Sequence, residues 1–379
     1  MRPTETTNGG RRARVLVAMS GGVDSSVAAA LLKEQGHDVV GVTMRLYDDE
    51  RPGEGGRGCC GFGGSRDAAR VASRLRFPHY TWDFRSEFEA SVIEDFCSEY
   101  GRGRTPNPCL RCNEVLKFTE LLGRAEQLGA DLIATGHYAR IRETQTADCK
   151  LQTDDSIGMQ VAWQLLKGVD ASKDQSYFLY AMTQEQLAKV LMPVGGYTKA
   201  QVRDIARKLD LPVAEKAESQ DICFVPDNDY AGFLKRRRPE LFQAGPVLDT
   251  GGNVLGRHEG IAGFTVGQRK GLGLAFGERR YVVRLDHERN AVVLGDENDV
   301  RTRVVEARDA RWVSGSDPTE PFRAHASVRY QSRGGDALVE PIGSGRVRVT
   351  FDEPQWAPTP GQAVVFWQGD CTLGGATIE

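Results

Sequence analysis

Residues 14–44 hold the feature that most constrains this chain. A short apolar run, RVLVAM (14–19), breaks into Ser20-Gly21-Gly22-Val23-Asp24-Ser25-Ser26 and resumes as an Ala/Leu-rich stretch to Gln35. The first run is uninterrupted and brief, as in a strand buried on both faces. The second has helical spacing, and Gly36 sits where a helix C-cap belongs. Val39–Met44 reads as another buried strand, completing a β-α-β unit of about 30 residues. The alternation continues with a helix over 66–76, a strand over 79–83, helices over 84–100 and 114–128, and a strand over 132–135. Such alternation predicts an α/β domain whose parallel sheet carries helices on both faces. Two Gly- and Cys-bearing loops, 51–65 and 101–113, interrupt it, and loops of that length in a compact domain usually carry function.

After about Gln220 glycine becomes frequent, helical periodicity fades, and short β-like runs stand between turn signals. RVRVTF (346–351) alternates polar and apolar residues, and Ala363–Trp367 is a further strand before the last Gly-Gly turn. The expected organisation is a nucleotide-type domain over 1–215, a small linking domain over 216–283 and an antiparallel barrel over 284–379. With 40% hydrophobic and 27% charged residues, the composition is that of a globular protein with a sizeable core. The net charge of −3 argues against indiscriminate coating of nucleic acid, but not against a local basic groove. No stretch approaches about 18 apolar residues, so no membrane span is expected. The polar start MRPTETTNGGRR lacks the apolar centre of a secretory signal. Eight cysteines in 379 residues are too sparse for a disulfide scaffold. A reducing cytoplasm is therefore expected, with clustered thiols free for chemistry or metal.

The loop at 20–26 joins a strand to a helix. Small residues there let backbone N–H groups face an anion, and the helix N-terminus adds positive potential. Its structural alternative is a glycine turn with Asp24 or Ser25 as N-cap. It is not a Walker-type loop, because no G-x-x-x-x-G-K-[ST] occurs. The full S-G-G-V-D-S-S resembles instead the pyrophosphatase-like loop of the N-type ATP pyrophosphatases. That resemblance implies ATP cleaved between its α- and β-phosphates, with Asp24 serving the accompanying Mg2+.

The second cluster is Cys109-Leu110-Arg111-Cys112, preceded by Thr105-Pro106-Asn107-Pro108 and placed ahead of a helix beginning near Asn113. A thiol at a helix N-terminus beside Arg104, Arg111 and Lys117 is expected to react as thiolate. Cys223 follows the polar run 218–221; alone, it could equally be a small buried hydrophobe between Ile222 and Phe224. A zinc site needs two further ligands at a recognisable spacing, which the sequence lacks, so no resident metal is expected. An open iron–sulfur cluster on three cysteines stays as a disfavoured alternative. Cys59, Cys60, Cys97, Cys149 and Cys371 have no such context and read as structural or incidental.

Taken in order, SGGVDSS, TPNPCLRCN, ATGHYAR (134–140), KDQSYFL (173–179), ESQDICFVP (218–226), GFTVGQRKGLG (263–273), VRY (328–330) and TPGQAVVF (359–366) closely resemble the tRNA-specific 2-thiouridylases, the MnmA/TRMU family. The resemblance runs from about residue 14 to the last strand. It implies a cytoplasmic enzyme that activates the C2 oxygen of the wobble uridine, position 34 of Lys, Glu and Gln tRNAs, with AMP, then replaces it by sulfur from a persulfide. Its partners would be tRNA and a persulfide donor, a cysteine desulfurase or a sulfur-relay protein. Ala18, Met19, Ser20, Gly21, Gly22, Val23, Asp24 and Ser25 match the ATP loop, with Met44 and Gly136 in the nucleotide pocket. Cys223 matches the persulfide carrier and Cys112 its partner, the nucleophile, so the two thiols must come within disulfide reach, about 5.5–6 Å between Cα atoms. Asn107, Pro108 and Cys109 match the positions at the target base; His137, Lys173, Asp174, Gln175, Arg329, Tyr330 and Gln362 match tRNA contacts.

One departure stands out. Many members carry Asp where this chain has Cys109, so the acid–base role of that position does not transfer, and Cys109 could act as an alternative resolving thiol. Each tRNA position also has an ordinary alternative. His137 could brace its turn, Lys173 and Arg329 could be surface charges, and Tyr330 could be barrel core. As a set they suit a splayed base, which is stacked and bonded on its edge. The run Lys235-Arg236-Arg237-Arg238 is the clearest basic patch, open either to phosphate or to solvent.

Overall fold

In the computed structural model, residues 12–48, 62–144, 163–217, 222–225, 229–274 and 277–379 are described. The first sheet is built from β1 (Arg14–Ala18), β2 (Asp38–Arg45), β3 (His79–Asp83), β4 (Leu132–Ala134) and the two-residue β7 (Val190–Leu191), all parallel, in the order β3-β2-β1-β4-β7. Val15, Leu16 and Val17 of β1 are buried, as a central strand covered on both faces must be. One face packs against α1 (Val23–Glu34), α2 (Phe62–Leu75) and α6 (Lys199–Lys208) through Val27, Val71, Val202 and Ala206. The other packs against α3 (85–101) and α4 (108–127) through Phe88, Phe96, Leu116 and Leu121.

Helix α4 departs from the expected boundary. It starts at Pro108, where Asn107 is the N-cap and accepts the Cys109 N–H at 3.1 Å. Asn at the cap with proline in the first turn is a sound start signal, so Cys109 sits in the first turn and Cys112 directly after it, both within the helix and not in a loop ahead of it. From Cys112 to Glu120 the helix widens to π geometry, a local form frequent at functional sites. Of the long loop expected over 51–65, residues 62–65 belong to α2 and 51–61 lie outside the described residues.

Between these elements the chain contributes an unexpected hairpin. Strands β5 (Ala139–Glu143) and β6 (Trp163–Lys167) leave the first sheet and join the C-terminal one, where Leu166 pairs with Cys371. Helix α5 (Gln184–Lys189) precedes β7, and α7 (Tyr230–Arg237) leads into the centre of the chain. There β8 (Gly245–Asp249), β9 (Val254–His258), β10 (Tyr281–Asp286) and β11 (Ala291–Gly295) form a four-stranded sheet around Val247, Val282, Val292 and Leu294.

The last six strands are β12 (Arg301–Trp312), β13 (Phe322–Ser327), β14 (Gly335–Gly343), β15 (Arg346–Trp356), β16 (Ala363–Gln368) and β17 (Cys371–Ile378). They pair in the order β12-β15-β14-β13-β16-β17 and close when β17 returns to β12. Phe351, Phe366, Val339 and Val349 fill the interior. The fold is thus an α/β parallel-sheet nucleotide domain, a small central domain and a closed antiparallel β-barrel. Among the described residues no helix is long and apolar enough to cross a membrane.

Candidate active site

The sheet order reverses between β1 and β4, and the loops that leave these two strands meet above their carboxyl ends, where open α/β sheets bind ligands. Loop 20–22 leaves β1 and opens α1, whose N-cap, Gly22, makes no side-chain cap bond. Ser20 and Ser25 hydroxyls stand 3.3 Å apart, and Ser26 donates back to the Gly22 carbonyl at 2.7 Å. Gly21 adopts φ +73° with Gly64 of α2 against it; a Cβ would lie 2.1 Å from the Gly64 oxygen. Gly136, just past β4, approaches so closely that a Cβ would lie 2.5 Å from the Ser25 nitrogen. Both glycines are therefore demanded by backbone contact, and together they form a narrow cradle of small residues.

Besides Asp24, charge around the cradle comes from two lysines, Lys199 and Lys216, that no sequence motif marks. Asp24 accepts from the Tyr138 hydroxyl at 2.7 Å, and its two oxygens accept from Lys199 Nζ at 2.8 and 2.9 Å. On the other side Lys216 Nζ donates to the Gly21 carbonyl at 3.0 Å and to Asp67 at 2.7 Å. Two ammonium groups thus flank a helix N-terminus, an arrangement suited to a polyphosphate. Lys199 is recognisable locally only as the first residue after the N-cap of α6, inside a capping box in which Thr198 and Gln201 satisfy each other's backbone. Met44 is buried in β2, its side chain in the core that faces α3 and α4.

The thiols converge on that same core. Cys112, half-buried on α4, and Cys223, half-buried in the turn at 222–225, both pack against the cluster that includes Leu116, Phe118 and Phe224. Phe224 fixes the turn through edge-on contacts with Phe88 at 5.5 Å and Phe96 at 5.3 Å. Cys109 is exposed on the first turn of α4. Among the described residues no three His, Cys, Asp or Glu side chains gather in a metal-binding group, so these three cysteines do not form one. Cys97 is buried in α3, and desolvation raises its pKa. Cys371 is disulfide-bonded, while Cys59, Cys60 and Cys149 lie outside the described residues.

The remaining candidates fall into two groups. His137 is buried and bonds Thr135 through Nδ1 at 2.8 Å, while Nε2 faces Lys117 at 3.5 Å. An ammonium beside Nε2 makes that nitrogen the acceptor and places the proton on Nδ1. Burial, then the Lys117 charge, pushes the ring well below the ordinary histidine pKa. Asp174 accepts from the Gly168 and Ser176 backbones and so braces its own loop, while Gln175 accepts the Tyr138 N–H at 2.9 Å and braces the turn after Gly136. Arg329 donates to the Val266 and Ala357 carbonyls and to the Thr359 hydroxyl, and Gln362 donates to the Thr105 carbonyl. Asn107, Lys173 and Tyr330 lie half-exposed, Tyr330 with its ring 4.3 Å from that of Phe178, and Pro108 is buried. The basic run at 235–238 is partly neutralised: Arg237 pairs with Glu89 and Arg238 with Glu94 on α3.

Sheet order, cradle and barrel together define a HUP-type nucleotide-binding domain coupled to two β modules. Family models match in that order: a tRNA methyl transferase HUP domain over residues 13–227, a tRNA methyl transferase PRC-barrel domain over 231–296 and an aminomethyltransferase β-barrel domain over 302–378. The tRNA-specific 2-thiouridylase MnmA of Carboxydothermus hydrogenoformans is 51% identical over 97% of this chain and 98% of its own. That of Moorella thermoacetica is 50% identical over 96% and 99%. The chain belongs to the tRNA-specific 2-thiouridylase family. A solved 4-thiouridine synthetase–RNA complex with bound ATP is 16% identical, with a TM-score of 0.34, over 60% of this chain and 51% of that one.

Proposed function

We propose that this protein is an ATP-dependent tRNA-uridine 2-sulfurtransferase acting on the wobble uridine of Lys, Glu and Gln tRNAs. Two observations support the proposal: a cradle of small residues at the carboxyl end of β1, and two thiols packed against the core that includes Leu16 of that strand, in a chain half identical to thiouridylases over nearly its full length. A uridine C2 carbonyl is a poor electrophile with a poor leaving group. Attack of its oxygen on the α-phosphate of ATP releases pyrophosphate and turns that oxygen into a departing AMP. Gly21, Gly22 and the start of α1 bind the phosphates, and Lys199 and Lys216 offset their charge. Mg2+ bound with the nucleotide would neutralise the leaving pyrophosphate, and Asp24 is the carboxylate at hand for it.

The sulfur comes from a persulfide on Cys223, charged by a donor protein. Its terminal sulfur attacks C2, AMP leaves, and nucleoside and protein are joined through a disulfide. The Cys112 thiolate then attacks the Cys223 Sγ, which breaks that S–S bond, releases 2-thiouridine and leaves a Cys112–Cys223 disulfide for an external thiol to reduce. Asn107, Pro108 and Cys109 meet the target base, with Lys173 and Tyr330 beside it.

Mass analysis of tRNA nucleosides after incubation with ATP, Mg2+ and a persulfide donor tests the proposal. Expected are 2-thiouridine at position 34 and one AMP per sulfur. Pyrophosphate release without any thionucleoside would point to another acceptor and overturn it.

A further inference from the structure

The barrel lies far along the chain from the cysteine-bearing turn, yet it is built into that turn's base. Thr105 donates its N–H to the Pro360 carbonyl at 2.8 Å, and its own carbonyl accepts from Gln362 Nε2 at 2.7 Å. Gly361, at φ +90°, lies so close that a Cβ would stand 3.0 Å from both Arg104 Cβ and the Thr105 nitrogen. Residues 357–362 therefore grip one residue, Thr105, by both of its backbone polar groups, two residues before the Asn107 cap. The same turn is held in place from behind. A single nitrogen of Arg329, Nη2, reaches the Ala357 carbonyl at 2.8 Å, the Thr359 hydroxyl at 2.8 Å and the Val266 carbonyl of the central domain at 3.0 Å. Gly267, at φ +86°, closes the junction, since a Cβ there would meet Ala357 at 2.7 Å.

We infer that Arg329 and Gln362 are positioning residues, which tie the central domain and the barrel's 357–362 turn to Thr105 and so set where Cys109 and Cys112 stand when a tRNA docks. This rests on the sulfurtransferase reading for the purpose of the turn, though not for its mechanics. The three acceptors that Arg329 Nη2 reaches are all carbonyl or hydroxyl oxygens, and among the described residues no carboxylate forms a salt bridge with it. Gln362 donates its side-chain amide to a backbone carbonyl, that of Thr105. Neither group needs to touch RNA to matter, and both differ in this from half-exposed cations such as Lys173.

Hydrogen exchange of the full-length protein, read by peptide mass analysis with no tRNA present, tests the strut separately from catalysis. Gln362→Leu should speed exchange of the peptide containing Thr105 by about fivefold, the loss of one ordinary hydrogen bond. Arg329→Met should speed exchange at both 357–362 and 104–109. In tRNA binding titrated against salt, both variants should keep the parent's slope, whereas removal of a phosphate contact lowers it by about 0.7–0.9. Thr359→Val, which removes only the hydroxyl, provides a milder version of the Arg329 effect if Arg329→Met does not fold. Unchanged exchange at 104–109 in Gln362→Leu and Thr359→Val, or a salt slope reduced by one contact in Arg329→Met, would overturn the inference. Absence of 2-thiouridine from the parent enzyme would overturn the functional reading instead and leave the exchange result standing.

Discussion

Gly136→Ala perturbs the cradle at its narrowest point. The added methyl would meet Ser25 N at 2.5 Å, the Asp24 carbonyl carbon at 2.8 Å and Ser25 Cα at 2.9 Å. All three are backbone atoms in the first turn of α1, and no rotamer change removes them. Ordinary contact begins at about 3.4 Å, so β4 and α1 must part by several tenths of an ångström. Overpacking of this kind costs about 1–3 kcal/mol. For a unit the size of the first domain that lowers Tm by about 2–4 °C per kcal/mol. In the proposed reading the displaced turn carries the N–H groups that bind the phosphates, so ATP affinity should fall at least about tenfold, equivalent to 1.4 kcal/mol. Gly123→Ala supplies the control. That glycine lies in α4 with nothing within 4 Å of a Cβ, and alanine should stabilise the helix by about 0.5–1 kcal/mol. Thermal melts with and without ATP, together with calorimetric titration, measure both effects. A Gly136→Ala protein with the parent's Tm and ATP affinity would refute the steric argument.

Lys199→Met should leave Asp24 with only the Tyr138 hydroxyl, weaken ATP binding about tenfold or more, and cost about 1–2 kcal/mol in denaturant unfolding, since the pair is only partly exposed; Tyr138→Phe should cost about 1 kcal/mol. Unaltered ATP titrations in Lys199→Met would exclude it from the phosphate site. Cys223→Ser should abolish both the persulfide label and 2-thiouridine while adenylation of tRNA persists, and Cys112→Ser should stop turnover with the label still on Cys223. Persulfide on Cys112 or Cys109 with thiolation continuing in Cys223→Ser would reverse these roles. His137 is held neutral in the folded state, so below the ordinary histidine pKa of about 6.5 the unfolded chain binds the extra proton first. Its contribution is full above that pH and is lost as pH falls, so melts between pH 7.5 and 5 should steepen on the acid side, and His137→Gln should flatten that limb. Parallel acid limbs in the two proteins would show that another group is responsible.

What could be read from the sequence was what local pattern controls. Strand 79–83 and the boundaries of β1, β2 and β4 follow from short apolar runs, and the phosphate loop from its adjacent small residues. The start of α4 was misplaced because the apolar periodicity begins only after Cys112, although Asn107-Pro108 already gave a capping signal. The hairpin β5–β6 looked like part of the first domain, since nothing local marks a strand whose partner is about 200 residues away. Lys199 has no local mark for the same reason: 175 residues separate it from Asp24, and a lone lysine after a helix cap carries no chemical signature. Arg329 and Gln362 had functional and ordinary interpretations that sequence could not separate, because the deciding fact is which carbonyl each faces.

The borrowed hairpin has a consequence for how the chain is made. Residues 139–167 leave the ribosome about 200 residues before the strand that pairs with Leu166. At about 5–20 residues per second that interval lasts roughly 10–40 s. During it β6, with Gln164, Leu165 and Leu166 destined for burial, presents an apolar strand with an unpaired edge. The nascent first domain is therefore exposed to misassembly until translation ends, and a chain cut at the end of that domain keeps the liability permanently. The yield of this protein should then depend on synthesis rate and chaperone supply as well as on the stability of its finished fold.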